Sequence, residues 1–538
     1  MDRPAMDRYE DAYRAFRWEL PATFNFGVDV VDAWARTEPS RPALVWCDAT
    51  GAERRFTFAD MADLSSRFAN VLAGHGIEKG DRVLVMLPRI PEWQIATVGC
   101  LKLGAVPIPC IGMLTAKDVA YRAAHSGARA AVTTEDNAVK FDGLPLDARL
   151  VVGKAPGWAP LRDALGEASG RFDAATVALE DPAIMYYTSG SAGPPKGVLH
   201  AARALFAWRV SAWFWNDLDP DDTMWCTADT GWSKAGTSIL FGPWSCGACV
   251  LFYDGPFDAH RRFELLARYR VSVFCAAATE LRRLVQVDAS AHDLSALRLT
   301  LSAGEAVNPE IVERWHALAG VPLLDGYGQT ETLMTVLNYR AMPVKLGSMG
   351  RPLPGTEIAI LDPDGRPTTV ETPGEIAIRL PNPQFMLGYW QEPDLTAAAI
   401  LRVAGVEYFL TGDMATRDED GYLYYQGRAD DVISSAGYRI GPLEVENALI
   451  EHPAVQECAA VASPDPERGE IVKAFVVLAP GASASDGLIA ELQDHAKRTT
   501  APYKYPRRME FVDDLPKTAS GKIRRRVLRD REFEASKD

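Results

Sequence analysis

The stretch Tyr186–His200 reads Tyr-Tyr-Thr-Ser-Gly-Ser-Ala-Gly-Pro-Pro-Lys-Gly-Val-Leu-His. The apolar run Ala183–Tyr187 leading into it has the composition of a buried strand, the Thr/Ser/Gly segment breaks it into a loop, and the pattern beyond predicts a helix from Val198. Strand, anion cradle and helix is the local order. Small residues at Gly190, Ala192 and Gly193 let backbone N–H groups approach phosphate oxygens, and the hydroxyls of Thr188, Ser189 and Ser191 add donors. Pro194 and Pro195 stiffen the exit, and Lys196 supplies a compact positive charge. A Walker A loop needs Gly-Lys-Ser/Thr opening the helix, whereas Gly197 and Val198 follow Lys196 here. A Gly/Ser loop alone is also an ordinary surface turn, so the rest of the chain has to decide.

With 538 residues the chain exceeds one ordinary domain. A net charge of -15 and a pI near 5.2 argue against a general nucleic-acid or anionic-membrane binder, which would carry a basic surplus. No apolar stretch reaches the ~20 residues of a membrane span, and Met1–Glu19 is too charged for a secretory signal. The expected location is cytoplasmic. Eight cysteines are scattered, mostly inside apolar runs, and only Cys246 and Cys249 form a CxxC. No second ligand pair accompanies them and no HExxH is present, so a dedicated metal cage is not expected.

From Arg41 strands and helices alternate. Arg82–Leu87, Ala105–Pro109 and Ala128–Thr133 are strand candidates separated by helices Glu92–Leu103 and Thr115–His125. A second round after the glycine loop includes Thr223–Ala228, Ala248–Tyr253, Val271–Ala276, Leu297–Ala303, the helix Pro309–Ala319 and Val321–Leu324. This predicts two α/β lobes built on parallel strands. After Gly347, short strands between Pro/Gly turns predict a small β-rich lobe, and beyond Asp430 about a hundred residues mix helices and strands as a separate α+β unit. The expected domains are 1–429 and 430–538.

Polar, glycine-bearing segments follow several strand candidates, where α/β sheets bind ligands. They are Ser302-Ala303-Gly304-Glu305-Ala306 and Asp325-Gly326-Tyr327-Gly328-Gln329-Thr330-Glu331-Thr332. Tyr327 offers a flat face for a purine and Glu331 a hard oxygen for Mg²⁺. Thr411-Gly412-Asp413 and Gly427-Arg428-Ala429-Asp430-Asp431 supply an acid suited to ribose hydroxyls and an arginine suited to ribose or phosphate. Pro516-Lys517-Thr518-Ala519-Ser520-Gly521-Lys522 places a lysine on a small-residue loop near the C-terminus, from which it can be carried into a site and withdrawn. Each segment alone is also consistent with a solvated turn.

Together they resemble the adenylate-forming superfamily of acyl-CoA synthetases, adenylation domains and luciferases. The matching stretches are YYTSGSAGPPKG at 186–197, DTGW at 229–232, SAGEA at 302–306, DGYGQTET at 325–332, YFLTGD at 408–413, GRADDVISSAGYRIGP at 427–442 and PKTASGK at 516–522. They stand in family order, and SPDPERGEIVKAFVVLAP at 463–480 with APYKYPRRMEFVDDLPKT at 501–518 is most similar to the medium-chain acyl-CoA synthetases. The resemblance implies a two-step reaction: a carboxylate attacks the α-phosphate of Mg·ATP to give an acyl-adenylate, then coenzyme A takes the acyl group and expels AMP. It implies that Thr188–Lys196 holds the β- and γ-phosphates, and that Gly304, Glu305, Ala306 and Asp325–Thr330 frame adenine and the α-phosphate. By the same resemblance Glu331 binds Mg²⁺, Asp413 binds ribose, and Arg428 and Arg439 reach ribose and phosphate. Lys522 becomes the adenylation lysine, brought in by a C-terminal domain that rotates about a hinge at Asp430. Withdrawal of Lys522 presents Ala436-Gly437-Tyr438 to the pantetheine arm, with Arg468, Arg89 and Lys497 as further CoA contacts.

In acetate-specific relatives a tryptophan precedes Gln-Thr-Glu, and this chain has Gly328, which implies an open acyl pocket lined by Trp232 and the run Ala235–Leu240. A medium-chain, branched or aromatic acid is then expected, with Lys234 the one cation near the pocket end. PKTASGK also fits the pattern acetylated in related synthetases, which makes a protein lysine acetyltransferase and deacetylase expected partners. The alternatives are an adenylation enzyme loading a carrier protein, for which no carrier module follows Lys522, and a non-enzymatic nucleotide sensor, which would be expected to lose Lys522 or Glu331.

Overall fold

The computed structural model describes residues 3–188, 194–429, 431–435, 438–466, 468–500, 503–518 and 522–535. Ser189, Gly190, Ser191, Ala192, Gly193, Asp430, Ala436 and Gly437 lie outside them, and only the backbone is described at Tyr438 and Arg439. The fold is α/β. One lobe carries a five-stranded parallel sheet in the order Val106–Pro109, Arg82–Met86, Ala130–Thr134, Ala148–Val152, Ala159–Pro160. Its helix Pro91–Leu103 is buried around its whole circumference, which explains why its sequence shows little amphipathic stripe.

The second lobe holds a nine-stranded sheet. Its parallel centre is Leu323–Gln329, Leu299–Ala303, Val273–Cys275, Thr223–Cys226 and Cys249–Asp254. Pro42–Asp48 pairs parallel beside Cys249–Asp254, with Glu53–Thr57 outside it at the edge, so the chain enters this sheet before it builds the first lobe. Helix Pro309–Ala319 has both ends encoded locally: the Asn308 side chain accepts from the Glu310 N–H at 2.9 Å, Pro309 opens the helix, and Gly320 closes it at φ 70°.

Two segments differ from their sequence reading. The expected helix from Val198 is a strand, Lys196–Ala201, and the helix starts only at Ala202. Lys196–Ala201 pairs antiparallel with Pro182–Thr188 on one side and with Gly388–Tyr389 on the other. Two partners satisfy its backbone on both edges, which outweighs any local helical preference. Likewise the strand expected to stop at Leu324 continues through Asp325-Gly326-Tyr327-Gly328 to Gln329, because Leu333–Leu337 returns alongside it. The segment expected to frame adenine is therefore strand ladder for most of its length.

The β-rich lobe is antiparallel, with Ile358–Leu361, Gly374–Arg379, Val406–Arg417 and Ile400–Val403 in order and Leu423–Arg428 paired to the long strand. Beyond it, strands Val455–Asp465, Gly469–Leu478, Ile433–Ser435, Tyr438–Ile440 and Arg508–Phe511 form a further sheet. Helices Pro442–Ile450 and Asp486–Thr499 share its core through Val445, Leu449, Leu492 and Ala496.

Candidate active site

Four pieces meet at the ends of these strands. The antiparallel pairing of Val406–Arg417 with Leu423–Arg428 sets Asp413 opposite Arg428. Arg428 Nη1 donates to Asp413 Oδ1 at 3.2 Å, and Tyr425 Oη donates to the same oxygen at 3.0 Å. The other carboxylate oxygen receives Tyr327 Oη at 2.7 Å and the Gln329 side-chain amide. Asp413 is buried, so this ring of donors is what allows its charge to stay there. It also ties the Tyr327–Gln329 ladder to the β-rich lobe. Tyr425 escaped the sequence reading; its signal, a tyrosine three residues before Arg428, has meaning only once the hairpin is known.

Behind this wall, buried His200 Nε2 donates to the Thr330 carbonyl at 2.6 Å, and its Nδ1 has no partner among the described residues. Burial pushes its pKa down to about 4, so it is a neutral brace for the Gln329–Glu331 turn. Glu305 accepts the Thr279 N–H at 2.8 Å, committing its carboxylate to the start of a neighbouring helix, while Gly304 takes φ 97° in the open. Asp325 is pushed up to about 7 by burial, against hydrogen bonds from Val307 and Gly326 N–H.

The antiparallel pairing of Pro182–Thr188 with Lys196–Ala201 places Thr188 opposite Lys196, at the two ends of the loop expected to bind phosphate. Lys196 Nζ lies 5.0 Å from the ring centre of Tyr389, whose hydroxyl donates to Glu331 Oε1 at 2.9 Å. The second oxygen of Glu331 has no hydrogen-bond partner among the described residues. One free hard carboxylate oxygen cannot close a coordination sphere alone, and it suits Mg²⁺, which takes one or two carboxylates and completes its shell with phosphate oxygens and water.

Lys522 comes from the other direction. Residues on both sides of it are joined: Lys517 bridges Ile523, Arg524 N–H donates to the Pro516 carbonyl at 2.7 Å, and Thr518 N–H donates to the Lys522 carbonyl at 2.8 Å. Lys522 N–H returns a bond to Thr518 Oγ1 at 3.2 Å. Lys522 is exposed to solvent, and the desolvation it does meet lowers its pKa against the opposing pull of Glu305 and Asp413. Lys234 and Arg428 add to the lowering. Lys522 is thus close enough to Glu305, Asp413, Lys234 and Arg428 to feel their charges.

The acyl and CoA assignments divide. Trp232 is half-buried, and Ala235–Leu240 is buried, with Ala235, Ile239 and Leu240 in the main hydrophobic core. Gly328 has a reason of its own: a Cβ there would sit 2.0 Å from the Leu333 carbonyl oxygen. Glycine is thus required by the ladder with Leu333–Leu337, a packing reason that stands beside the expected open acyl pocket. Lys234 Nζ donates to the Ala303 carbonyl at 3.1 Å. Arg89 spends N–H groups on the carbonyls of Thr227 and Gly255. Lys497 pairs with Asp494 and lies over Tyr505, and Arg468 N–H is held by Asp465, all within the C-terminal region. Cys246 and Cys249 are both pushed up to about 12 by burial, the behaviour of inert structural thiols.

A protein-family model described as AMP-binding enzyme matches residues 31–390, and one described as AMP-binding enzyme C-terminal domain matches residues 444–522. The chain belongs to the AMP-binding enzyme family, and within it to the AMP-forming acyl-CoA synthetases, which use ATP, Mg²⁺ and coenzyme A. Among curated proteins it is similar to the mitochondrial acyl-coenzyme A synthetase ACSM3 of Mus musculus, 42% identical over 545 residues that cover 98% of this chain and 93% of that protein. Among solved structures it is similar to an acyl-CoA synthetase of Brucella canis, at 35% identity and TM-score 0.76, covering 99% of this chain and 100% of that one. The anthranilate CoA ligase AuaEII, solved with anthranoyl-AMP, superposes at TM-score 0.88 with 29% identity, covering 96% of this chain and 99% of its own. No helix among the described residues is long and apolar enough to cross a membrane.

Proposed function

We propose that this enzyme activates a medium-chain, branched or aromatic carboxylic acid and that Lys522 is the group driving the adenylation half. The observation that carries the proposal is the placement of Lys522, over three hundred residues from the phosphate loop, in the field of Asp413, Glu305 and Arg428. Negative charge gathers on the carboxylate and α-phosphate oxygens as the acid attacks, and an ammonium aimed there without a competing ion pair stabilises that charge most. Among the described residues the Lys522 ammonium makes no hydrogen bond or ion pair. Asp413 exchanges some of its tyrosine, glutamine and arginine donors for ribose hydroxyls, Tyr327 and the Gln329 ladder bound adenine, and Lys196 with the loop from Thr188 holds the leaving pyrophosphate. Glu331 supplies a ligand to Mg²⁺, which neutralises phosphate charge when bound. Arg439 completes the phosphate contacts.

Thioester formation needs the same carbonyl face for the CoA thiol. The C-terminal unit, 430–538, turns about Asp430, removes Lys522 and brings Ala436–Tyr438 to the tunnel, with Arg468, Lys497 and Arg89 toward the CoA phosphates. Similarity to an acyl-coenzyme A synthetase and to an anthranilate CoA ligase supports the acid class. A cytoplasmic location and control by acetylation of Lys522 belong to the same reading; the solvent contact of Lys522 supports the second, since acetylation would remove its charge. Acetyl-Lys522 would be sought by mass spectrometry and location by fractionation.

The test is pyrophosphate release over a panel from acetate to decanoate, 2-methylbutyrate, benzoate and anthranilate, with and without CoA. The expected result is release with the larger acids and CoA thioester only when CoA is present. Adenylate that moves onto a carrier protein but not onto CoA would replace this reading with the carrier-loading one.

A further inference from the structure

The short strand Gly388–Tyr389 is bolted to both halves of the phosphate site. Leu387 N–H donates to the Leu199 carbonyl at 2.7 Å and Trp390 N–H to the Gly197 carbonyl at 2.7 Å, so the segment rides on the strand that begins at Lys196. From the same segment, Met386 N–H donates to the Glu331 carbonyl at 2.9 Å. Thr396 Oγ1 accepts the Tyr389 N–H at 2.9 Å and fixes the backbone where the tyrosine leaves it. Tyr389 then reaches both functional ends with one side chain: its hydroxyl holds Glu331 Oε1 at 2.9 Å, and its ring centre lies 5.0 Å from Lys196 Nζ.

We propose that Tyr389 is a positioning residue for Mg·ATP: its hydroxyl fixes the Glu331 carboxylate so that one oxygen is engaged and the other is presented to the cation, and its ring holds the Lys196 ammonium near the place where it meets the polyphosphate. This rests on the assignment of Glu331 and Lys196 to the Mg·ATP site made above. A carboxylate on a turn samples several rotamers, and a hydrogen bond to one oxygen selects among them, as the outer partners of metal ligands do. The ring face attracts the lysine more weakly than a phosphate does, so it parks the ammonium without trapping it. Neither role is visible along the sequence, because Tyr389 lies far from both Lys196 and Glu331 in the chain.

The experiment is calorimetric titration of the full-length protein with ATP at graded Mg²⁺, without acid or CoA, so that no turnover occurs. Tyr389→Phe keeps the ring and loses the hydroxyl. It is expected to leave Mg²⁺-free ATP affinity within about twofold while raising the Mg²⁺ concentration at half-maximal enhancement about 10- to 100-fold. Tyr389→Leu is expected to show the same Mg²⁺ defect and, having lost the ring as well, to weaken Mg²⁺-free binding by about threefold. An unchanged Mg²⁺ midpoint in Tyr389→Phe, alongside a shifted midpoint in Glu331→Gln, overturns the inference. An unchanged midpoint in Glu331→Gln itself overturns the underlying site assignment.

Discussion

The two walls of the cleft are built to opposite specifications. On the wall proposed to hold the nucleotide the two carboxylates are braced, Asp413 by Tyr327, Tyr425, Gln329 and Arg428 and Glu331 by Tyr389, and His200 holds the turn at Thr330. On the other wall Lys522 is held through its backbone by Thr518, and among the described residues its ammonium contacts no partner. A satisfied, buried polar network is costly to disturb, whereas a side chain on a small hairpin can be brought in and taken out cheaply. This contrast fits the proposal that one half of the site holds its geometry while Lys522 is carried in and out.

The largest expected effect is on rate. Lys522→Ala should lower acid-dependent ATP–pyrophosphate exchange by about 10²- to 10³-fold, the usual consequence of removing one preorganised donor, while unfolding free energy moves by no more than about 0.5 kcal/mol. Asp413→Ala should reverse the balance of costs. It leaves buried donors without an acceptor and should lower stability by about 3 kcal/mol in denaturant titration, in addition to weakening ATP binding. A mild stability effect would mean that the donors around Asp413 do not depend on its carboxylate.

Acid should find the braced wall next. His200 titrates near 4 in the fold and near 6.5 unfolded. Between those values the unfolded chain binds the extra proton, so stability falls as pH drops below 6.5 and the loss is complete near pH 4, at about 3 kcal/mol if His200 acts alone. His200→Gln, which keeps a donor for the Thr330 carbonyl, should remove that part of the pH dependence in chemical denaturation. The smallest effect is expected at Thr518→Val, which deletes the acceptor for the Lys522 N–H. It should slow adenylation by about fivefold, equivalent to one modest hydrogen bond, and leave ATP affinity unchanged by calorimetry.

Much of the nucleotide wall was legible in the sequence because its residues come in short runs whose local chemistry is enough. Helix Pro309–Ala319 was legible to the residue, since cap, proline and terminal glycine are all local signals. The strand Lys196–Ala201 was not, because its extended form is imposed by partners at Pro182–Thr188 and Gly388–Tyr389. Gly328 shows the same limit from the other side. Its lack of a side chain reads as open space along the chain, and the fold adds a second reason, room for the Leu333 backbone. Tyr389 and Tyr425 matter through cross-strand neighbours that no spacing rule reveals.

The division between a fixed wall and a carried lysine is tested most directly by giving Lys522→Ala the acyl-adenylate ready-made. With purified acyl-AMP and CoA, thioester formation by the variant should proceed within about twofold of the parent enzyme, even though its pyrophosphate exchange is nearly lost. Equal loss in both half-reactions would contradict the account.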